Sequence, residues 1–200
     1  MRSQRHYAKI VLLTVLLSAG AVPGLADPDM GQALFDKGRY AEAVASWKNA
    51  SETAQDHQAE FRLGDYYESG SAEPENLPEA AKWYAKAAEG GHSGAQFALG
   101  SFYEAGAGVD APSTEKAAFW YSKCAMRNIA NCQFNLGRLS SSGEAPNQDL
   151  IEAYKWYYLS AKNGFLEFDA EELTTLAARL TSDQKREAVQ RAMAFKPVAE

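Results

Sequence analysis

Apolar residues recur along the chain in blocks with helical spacing, and short polar, glycine- or proline-containing breaks separate the blocks. In one kind of block, Ala95, Phe97, Ala98, Leu99, Phe102 and Tyr103 form a stripe, and Gly106 and Gly108 mark its C-terminal stop. This predicts a helix from Gly94 to about Ala105. The other kind follows a Pro-containing linker and reads Ala80-Ala81-x-Trp83-Tyr84-x-x-Ala87-Ala88. Its small residues let neighbouring helices approach, and its rings fill the space between layers. Pro78 suits the first turn of that helix, and Asp149 followed by Glu152 predicts a capping pair for another.

The blocks repeat in register. Ala43, Ala80, Ala117 and Ala153 are 37, 37 and 36 residues apart, and Trp47, Tyr84, Tyr121 and Tyr157 keep the same intervals. Leu-Gly recurs at 63–64, 99–100 and 136–137, and a closing glycine at Gly70, Gly106 and Gly143. Trp83, Trp120 and Trp156 add a further column. A lone helical hairpin leaves an apolar face in water, whereas stacked hairpins bury a continuous core. The expected fold is therefore all-α, an α/α superhelical solenoid of antiparallel helix pairs with C-terminal capping helices. The units are a hairpin at 27–56, repeats at 57–91, 92–128 and 129–164, and a closing helix pair with tail at 165–200, its last helix starting at Thr181 or Ser182.

The first 26 residues break the pattern. Arg2, Arg5 and Lys9 precede an apolar run from Ile10 to Val22, and Gly24 and Ala26 supply small residues at −3 and −1. This is the layout of a secretory signal peptide cleaved after Ala26. The run is shorter than the roughly 20 residues of a membrane-spanning helix, and no stable membrane insertion is expected after cleavage. The net charge is −6 for the whole chain, with 20 Lys and Arg against 26 Asp and Glu. Losing the three basic residues of the leader leaves −9, which disfavours nucleic acid as a partner.

The strings AQFALGSFYEAGAGV (95–109), CQFNLGRLSSSGEAPNQD (132–149) and EAYKWYYLSAKNG (152–164) resemble Sel1-like repeats of the exported bacterial type, relatives of tetratricopeptide repeats. The first hairpin, GRYAEAVASWKNA (38–50), is more similar to an ordinary tetratricopeptide unit. Glu73 replaces a usual valine, one extra residue lengthens the 109–114 linker, and Leu139 and Ser140 stand where the other repeats carry aromatics. The last of these predicts the loosest packing in the third repeat. The resemblance implies a scaffold that holds other proteins, with the first helix of each pair lining a concave face.

Three columns on those first helices are the expected partner contacts: Phe61, Phe97 and Phe134; Asp65, Ser101 and Arg138; and Glu68 and Glu104, with Ser141 in their register. The carboxylates would favour a basic or mixed-charge segment. The same aromatics equally suit packing between layers, and the carboxylates a solvated face. On the partner-binding reading, charge reversal at Glu68 and Glu104 is expected to weaken partner capture without lowering the melting temperature, and a large loss of stability would make these residues structural.

Cys124 and Cys132 form an even pair in an exported chain, which argues for a disulfide. Their spacing fits neither a CxxC redox motif nor, without a nearby His, a zinc site. The same spacing occurs in cysteine-rich secreted Sel1-repeat proteins, similar to this chain in that feature. Relatives of that kind, linked to β-lactams, suggest an alternative reading as a cell-wall-related enzyme or β-lactam-binding protein. The S-x-x-K strings Ser113–Lys116 and Ser182–Lys185 are its candidates, but no S-D-N or K-T-G string accompanies them, and both serines sit where a helix cap is expected. His57 and His92 read as loop residues, the glycines as helix ends, and Glu171-Glu172 as a solvated first turn. No cofactor or metal is expected. The leading expectation is a non-enzymatic, periplasmic or secreted protein-interaction module.

Overall fold

Local chemistry sets where helices start and stop in the computed structural model, which describes residues 28–71, 74–142, 149–165 and 170–198. The leader, Glu73, Gly143 and the rest of the 143–148 linker lie outside the described residues. Within them the chain forms ten helices and no strand. These are α1 (Pro28–Asp36), α2 (Tyr40–Ala54), α3 (His57–Ser69), α4 (Leu77–Glu89), α5 (Ser93–Ala105), α6 (Thr114–Ala125), α7 (Ala130–Ser142), α8 (Leu150–Lys162), α9 (Ala170–Ala178) and α10 (Ser182–Met193).

Side-chain caps satisfy first-turn N–H groups that have no partner inside a helix. Asp56, Asn76 and Ser113 accept from the backbone N–H groups of Ala59, Glu79 and Lys116. Asp149 accepts from those of Ile151 and Glu152. The Glu152 carboxylate pairs with Lys155 and Arg191, so it serves the helix surface and the C-terminal cap. Thr181, not Ser182, caps α10, in a reciprocal box with Gln184. Gly70 and Gly106 end α3 and α5 in the left-handed region, at φ 59° and 72°.

The two histidines do more than occupy loops. His92 is the N-cap of α5: its Nδ1 accepts from the N–H of Ala95 at 3.1 Å, and its ring stacks on Phe61 at 4.4 Å. His57 opens α3 and meets buried Glu60 at 2.8 Å.

Consecutive helices pack as hairpins (α1 on α2, α3 on α4, α5 on α6, α7 on α8), and α2–α3, α4–α5 and α6–α7 contacts join one hairpin to the next. Helices α9 and α10 both pack on α8. The Ala columns of the second helices are fully buried at Ala43, Ala80, Ala117 and Ala153.

The Leu-Gly glycines lie inside helices and do not end them. Each backs onto the repeat tyrosine of its own hairpin. A Cβ on Gly64 would come within 2.4 Å of the Tyr84 ring, and one on Gly100 within 2.6 Å of Tyr121. At Gly137 the nearest atoms, Ala153 O and the Tyr157 ring, lie at 3.2 Å. Glycine here admits a ring against the helix backbone. In the third repeat, Leu139 takes the buried place of Tyr66 and Phe102 and is fully enclosed.

Candidate partner-binding face

The columns expected to meet a partner are all on first helices: Phe61, Asp65 and Glu68 on α3, Phe97, Ser101 and Glu104 on α5, and Phe134 and Arg138 on α7. The three phenylalanines are half-buried, each against the repeat tyrosine of its hairpin. Phe61 lies 5.7 Å from Tyr84, Phe97 5.9 Å from Tyr121 and Phe134 5.5 Å from Tyr157, centroid to centroid. Phe134 also stacks on Phe165 at 4.9 Å. Phe97, Phe134 and Phe165 with Asn131 and Asn135 line an open cavity of about 750 Å³. Each ring of the column therefore packs on its hairpin tyrosine, and those of Phe97 and Phe134 also line open space, while Phe61 stacks on His92.

The polar columns are tied to the same tyrosines. The Tyr84 hydroxyl shares its proton between Asp65 Oδ1, at 2.8 Å, and the Glu68 carboxylate. One repeat on, the Tyr121 hydroxyl meets Ser101 Oγ at 3.0 Å and donates to Glu104 Oε2 at 3.1 Å. Tyr157 hydrogen-bonds Ser141. Burial pushes the Tyr121 phenol up to about 12, with Glu104 adding to the effect. Tyr84 is raised further by burial and by hydrogen bonds to two carboxylates. Burial also raises Asp65, against the opposing hydrogen bond from Tyr84. All three phenols stay protonated at neutral pH, as donation requires.

Sequence reasoning missed this use of the polar columns, although the register of the tyrosines with them carried the signal. Arg138 is likewise committed. It pairs with the other oxygen of Glu104, so one carboxylate joins α5, α6 and α7. Among the predicted carboxylates, Asp65 and Glu68 carry the remaining negative charge, with Arg62 3.6 Å from Asp65.

A second polar cluster joins the first two units. Glu60 is fully buried and stands in register with Gln96 and Gln133. Those glutamines donate to carbonyls of the preceding second helix, Ala88 O and Ala125 O. A carboxylate cannot donate. Glu60 instead accepts from Ser51 Oγ at 2.9 Å and pairs with Lys86 Nζ at 3.1 Å. Burial pushes Glu60 up, but hydrogen bonds from His57, Lys86 and Ser51 outweigh it and hold the carboxyl below its usual value.

Cys124 and Cys132 stand at disulfide distance, their Cα atoms 5.8 Å apart, across the turn from α6 to α7. Of the two S-x-x-K strings, Ser113 accepts the Lys116 N–H as a cap, while Lys116 Nζ lies 4.9 Å over the Tyr103 ring. Ser182 is the first residue of α10, preceded by its cap. Neither serine has a lysine amine as a hydrogen-bond partner among the described residues. Those residues also hold no group of three or more potential metal ligands and no helix long and apolar enough to cross a membrane.

No curated protein matches the chain. Among solved structures it is similar to a protective antigen of uropathogenic Escherichia coli strains displaying an SLR fold, at 26% identity and a TM-score of 0.72. That alignment covers 85% of this chain but 38% of the antigen. The chain is also similar to a Sel1 repeat protein from Oxalobacter formigenes, at 26% identity and a TM-score of 0.67, over 84% of this chain and 69% of that one. Proteins of this fold are typically protein-interaction scaffolds and generally non-enzymatic. Residues 57–92, 93–128 and 130–165 each match the Sel1 repeat, more than half of the sequence, so the chain belongs to the Sel1 repeat family.

Proposed function

We propose that the chain is an exported adaptor or regulator that captures a partner protein or peptide on the concave face formed by its first helices. The observation that carries this reading is the half-buried Phe61, Phe97 and Phe134 column, spaced by the repeat and opening at Phe97 and Phe134 into a cavity of about 750 Å³. An aromatic lining with a few polar groups suits recognition of a protein segment. The Asp65–Glu68 pair at the N-terminal end favours a basic residue on that segment. Export to the periplasm or beyond is supported by the leader at 1–26 and by a cysteine pair at disulfide distance. The unit boundaries 27–56, 57–91, 92–128, 129–164 and 165–200 belong to this reading.

The test is cross-linking in cells followed by mass spectrometry, on the native chain and on Phe134→Ala. The reading expects one dominant protein partner in the cell envelope, captured several-fold less by the variant. Undiminished capture by Phe134→Ala would defeat the concave-face assignment. Recovery of the native chain in the cytosol would defeat export.

A further inference from the structure

Successive second helices leave a groove between them, and the repeat register makes these grooves equivalent sites. One wall is the C-terminal end of the earlier helix, where Ser51, Ala88 and Ala125 occupy the same place in α2, α4 and α6. The other wall carries the tryptophan column of the later helix.

Two of the three grooves are filled from within the chain. Between α2 and α4, Lys86 lies over the Trp83 ring at 5.5 Å and donates to Ser51 Oγ at 2.6 Å. Between α6 and α8, the occupant is the non-helical tail after α10. Phe195 packs edge-on against Trp156 at 5.6 Å, and the Val198 N–H donates to Met126 O at 2.9 Å. The tail thus offers an aromatic ring to the tryptophan wall and a backbone N–H to the end of the earlier helix. Trp156 is 5% exposed as a result.

The middle groove, between α4 and α6, is open. It is a cavity of about 750 Å³ with Ala88 and Glu89 on one wall, Phe119 and Trp120 on the other, and Val198 at its edge. Phe119 is 51% exposed, the largest apolar side chain among the exposed ones described. The lysine that fills the first groove has its counterpart in Lys123, which lies 5.2 Å over Phe119. Gln96 lines this groove, is 4% exposed, and its Oε1 has no hydrogen-bond partner among the described residues. In the tail-filled groove the equivalent oxygen, Gln133 Oε1, accepts from Asn163 Nδ2 at 2.8 Å. A buried acceptor left unpaired is costly, and the position equivalent to Asn163 is Arg127, whose guanidinium is turned to Gly91 O.

We propose that the α4–α6 groove binds a non-helical segment of another protein, presenting an aromatic side chain to Phe119 and Trp120 and an N–H donor to Gln96 Oε1. The chain's own tail shows the type of occupant, because it fills the equivalent groove with an aromatic ring against the tryptophan wall and a backbone N–H, which there goes to Met126 O because Asn163 already serves Gln133 Oε1. This site lies on the second helices, so its test is independent of the concave face.

The probe is a fluorescently labelled peptide with the sequence of residues 192–200, added to the full chain whose own tail already fills the neighbouring groove. Saturable binding is expected, weakened at least about tenfold by Phe119→Glu in the protein and by alanine in place of Phe195 in the peptide. Phe119 is half exposed, so the urea midpoint of Phe119→Glu should match that of the native chain. No saturable binding up to about 1 mM, or equal binding to Phe119→Glu, overturns the proposal. Light scattering of the native chain covers the remaining occupant. A dimer that Phe119→Glu dissolves would seat a second copy in the groove and overturn the assignment to a different protein.

Discussion

Alanine substitution at the three mid-helix glycines is expected to cost stability at Gly64 and Gly100 and to be nearly neutral at Gly137, following the distance from each site to the ring behind it. Two effects compete. Glycine in a helix interior costs about 1 kcal/mol relative to alanine, so the change helps the helix. The added methyl must also fit. Ordinary van der Waals contact begins near 3.4 Å, whereas the Cβ would lie 2.4 Å from Tyr84 at Gly64 and 2.6 Å from Tyr121 at Gly100. Both rings are about 1% exposed, and their hydroxyls are hydrogen-bonded, so neither can swing away freely. Overpacking a close-packed interior costs roughly 1–3 kcal/mol, and here the upper part of that range applies. Gly64→Ala and Gly100→Ala should therefore lose about 1–2 kcal/mol net, or roughly 2–8 °C in Tm for a chain of this size. At Gly137 the contacts are 3.2 Å, a few tenths of an ångström too close, and the two effects should cancel to within about 0.5 kcal/mol. Urea unfolding with the slope m held constant is the assay, since a repeat protein that unfolds in stages would change m. A second arm places Gly100→Ala in a Tyr121→Leu background, where the penalty should largely vanish. Equal losses at all three glycines, or the largest loss at Gly137, would refute the account of glycine as a seat for the ring.

Other outcomes follow from the polar network and the cysteines. Replacing Cys124 and Cys132 by serine should lower stability by about 2.5 kcal/mol in the chain-entropy model, and the intact protein should weigh about 2 Da less than its reduced form; full alkylation of the unreduced, denatured chain would contradict this. Glu60 titrates lower in the folded state than unfolded, so its contribution is present above the unfolded carboxyl value of about 4.3 and lost as pH falls through the folded one. Glu60→Gln should flatten the acid side of the pH–stability curve, and an unchanged slope would remove Glu60 from the linkage. Glu68→Lys should lower the unfolding free energy measured in urea by about 1 kcal/mol or more, because it takes an acceptor from the buried Tyr84 hydroxyl, whereas Glu68→Gln keeps an acceptor and should lose less. Ser113→Ala should cost about 1 kcal/mol as a lost cap and leave any β-lactam turnover unchanged.

The helices and their stacking were legible because each repeat writes the same physical requirement several times. Ala80, Ala117 and Ala153 must be small where helices cross, and Gly70 and Gly106 must reach the left-handed region, so the residue types recur at the period of the fold. The glycine–tyrosine seats were less legible, because Gly64 and Tyr84 are far apart in sequence and each had a simpler local explanation. Glycine reads as a helix end and tyrosine as general filling. Only the shared register of the two columns pointed to a contact. His92 was misread for a related reason, since histidine is an uncommon cap and its role depends on Phe61 in the preceding repeat. The docking of Phe195 and Val198 occurs once, so no repetition could reveal it.

The double use of the first-helix acids constrains what kind of partner the proposed first-helix face can take. Glu104 spends one oxygen on Tyr121 and the other on Arg138, so a cationic group there would have to displace an ion pair that joins two repeats. Asp65 and Glu68 share one phenolic proton and Asp65 Oδ2 also faces Arg62 at 3.6 Å, which leaves the more accessible lone pairs on Glu68. A lysine or arginine can approach that end without breaking the Tyr84 contact, and the open cavity beside Phe97 and Phe134 lies toward the other. The arrangement favours a segment with a basic residue near α3 and an apolar one near α7, separated by the span of one intervening repeat. Reversing charge at Glu68 alone cannot test this, because it disturbs fold and face together. Glu68→Gln removes the charge and keeps an acceptor for Tyr84. If partner capture falls with Glu68→Gln while the urea midpoint holds, the charge itself is read by the partner; if both fall together, the acid belongs to the hairpin.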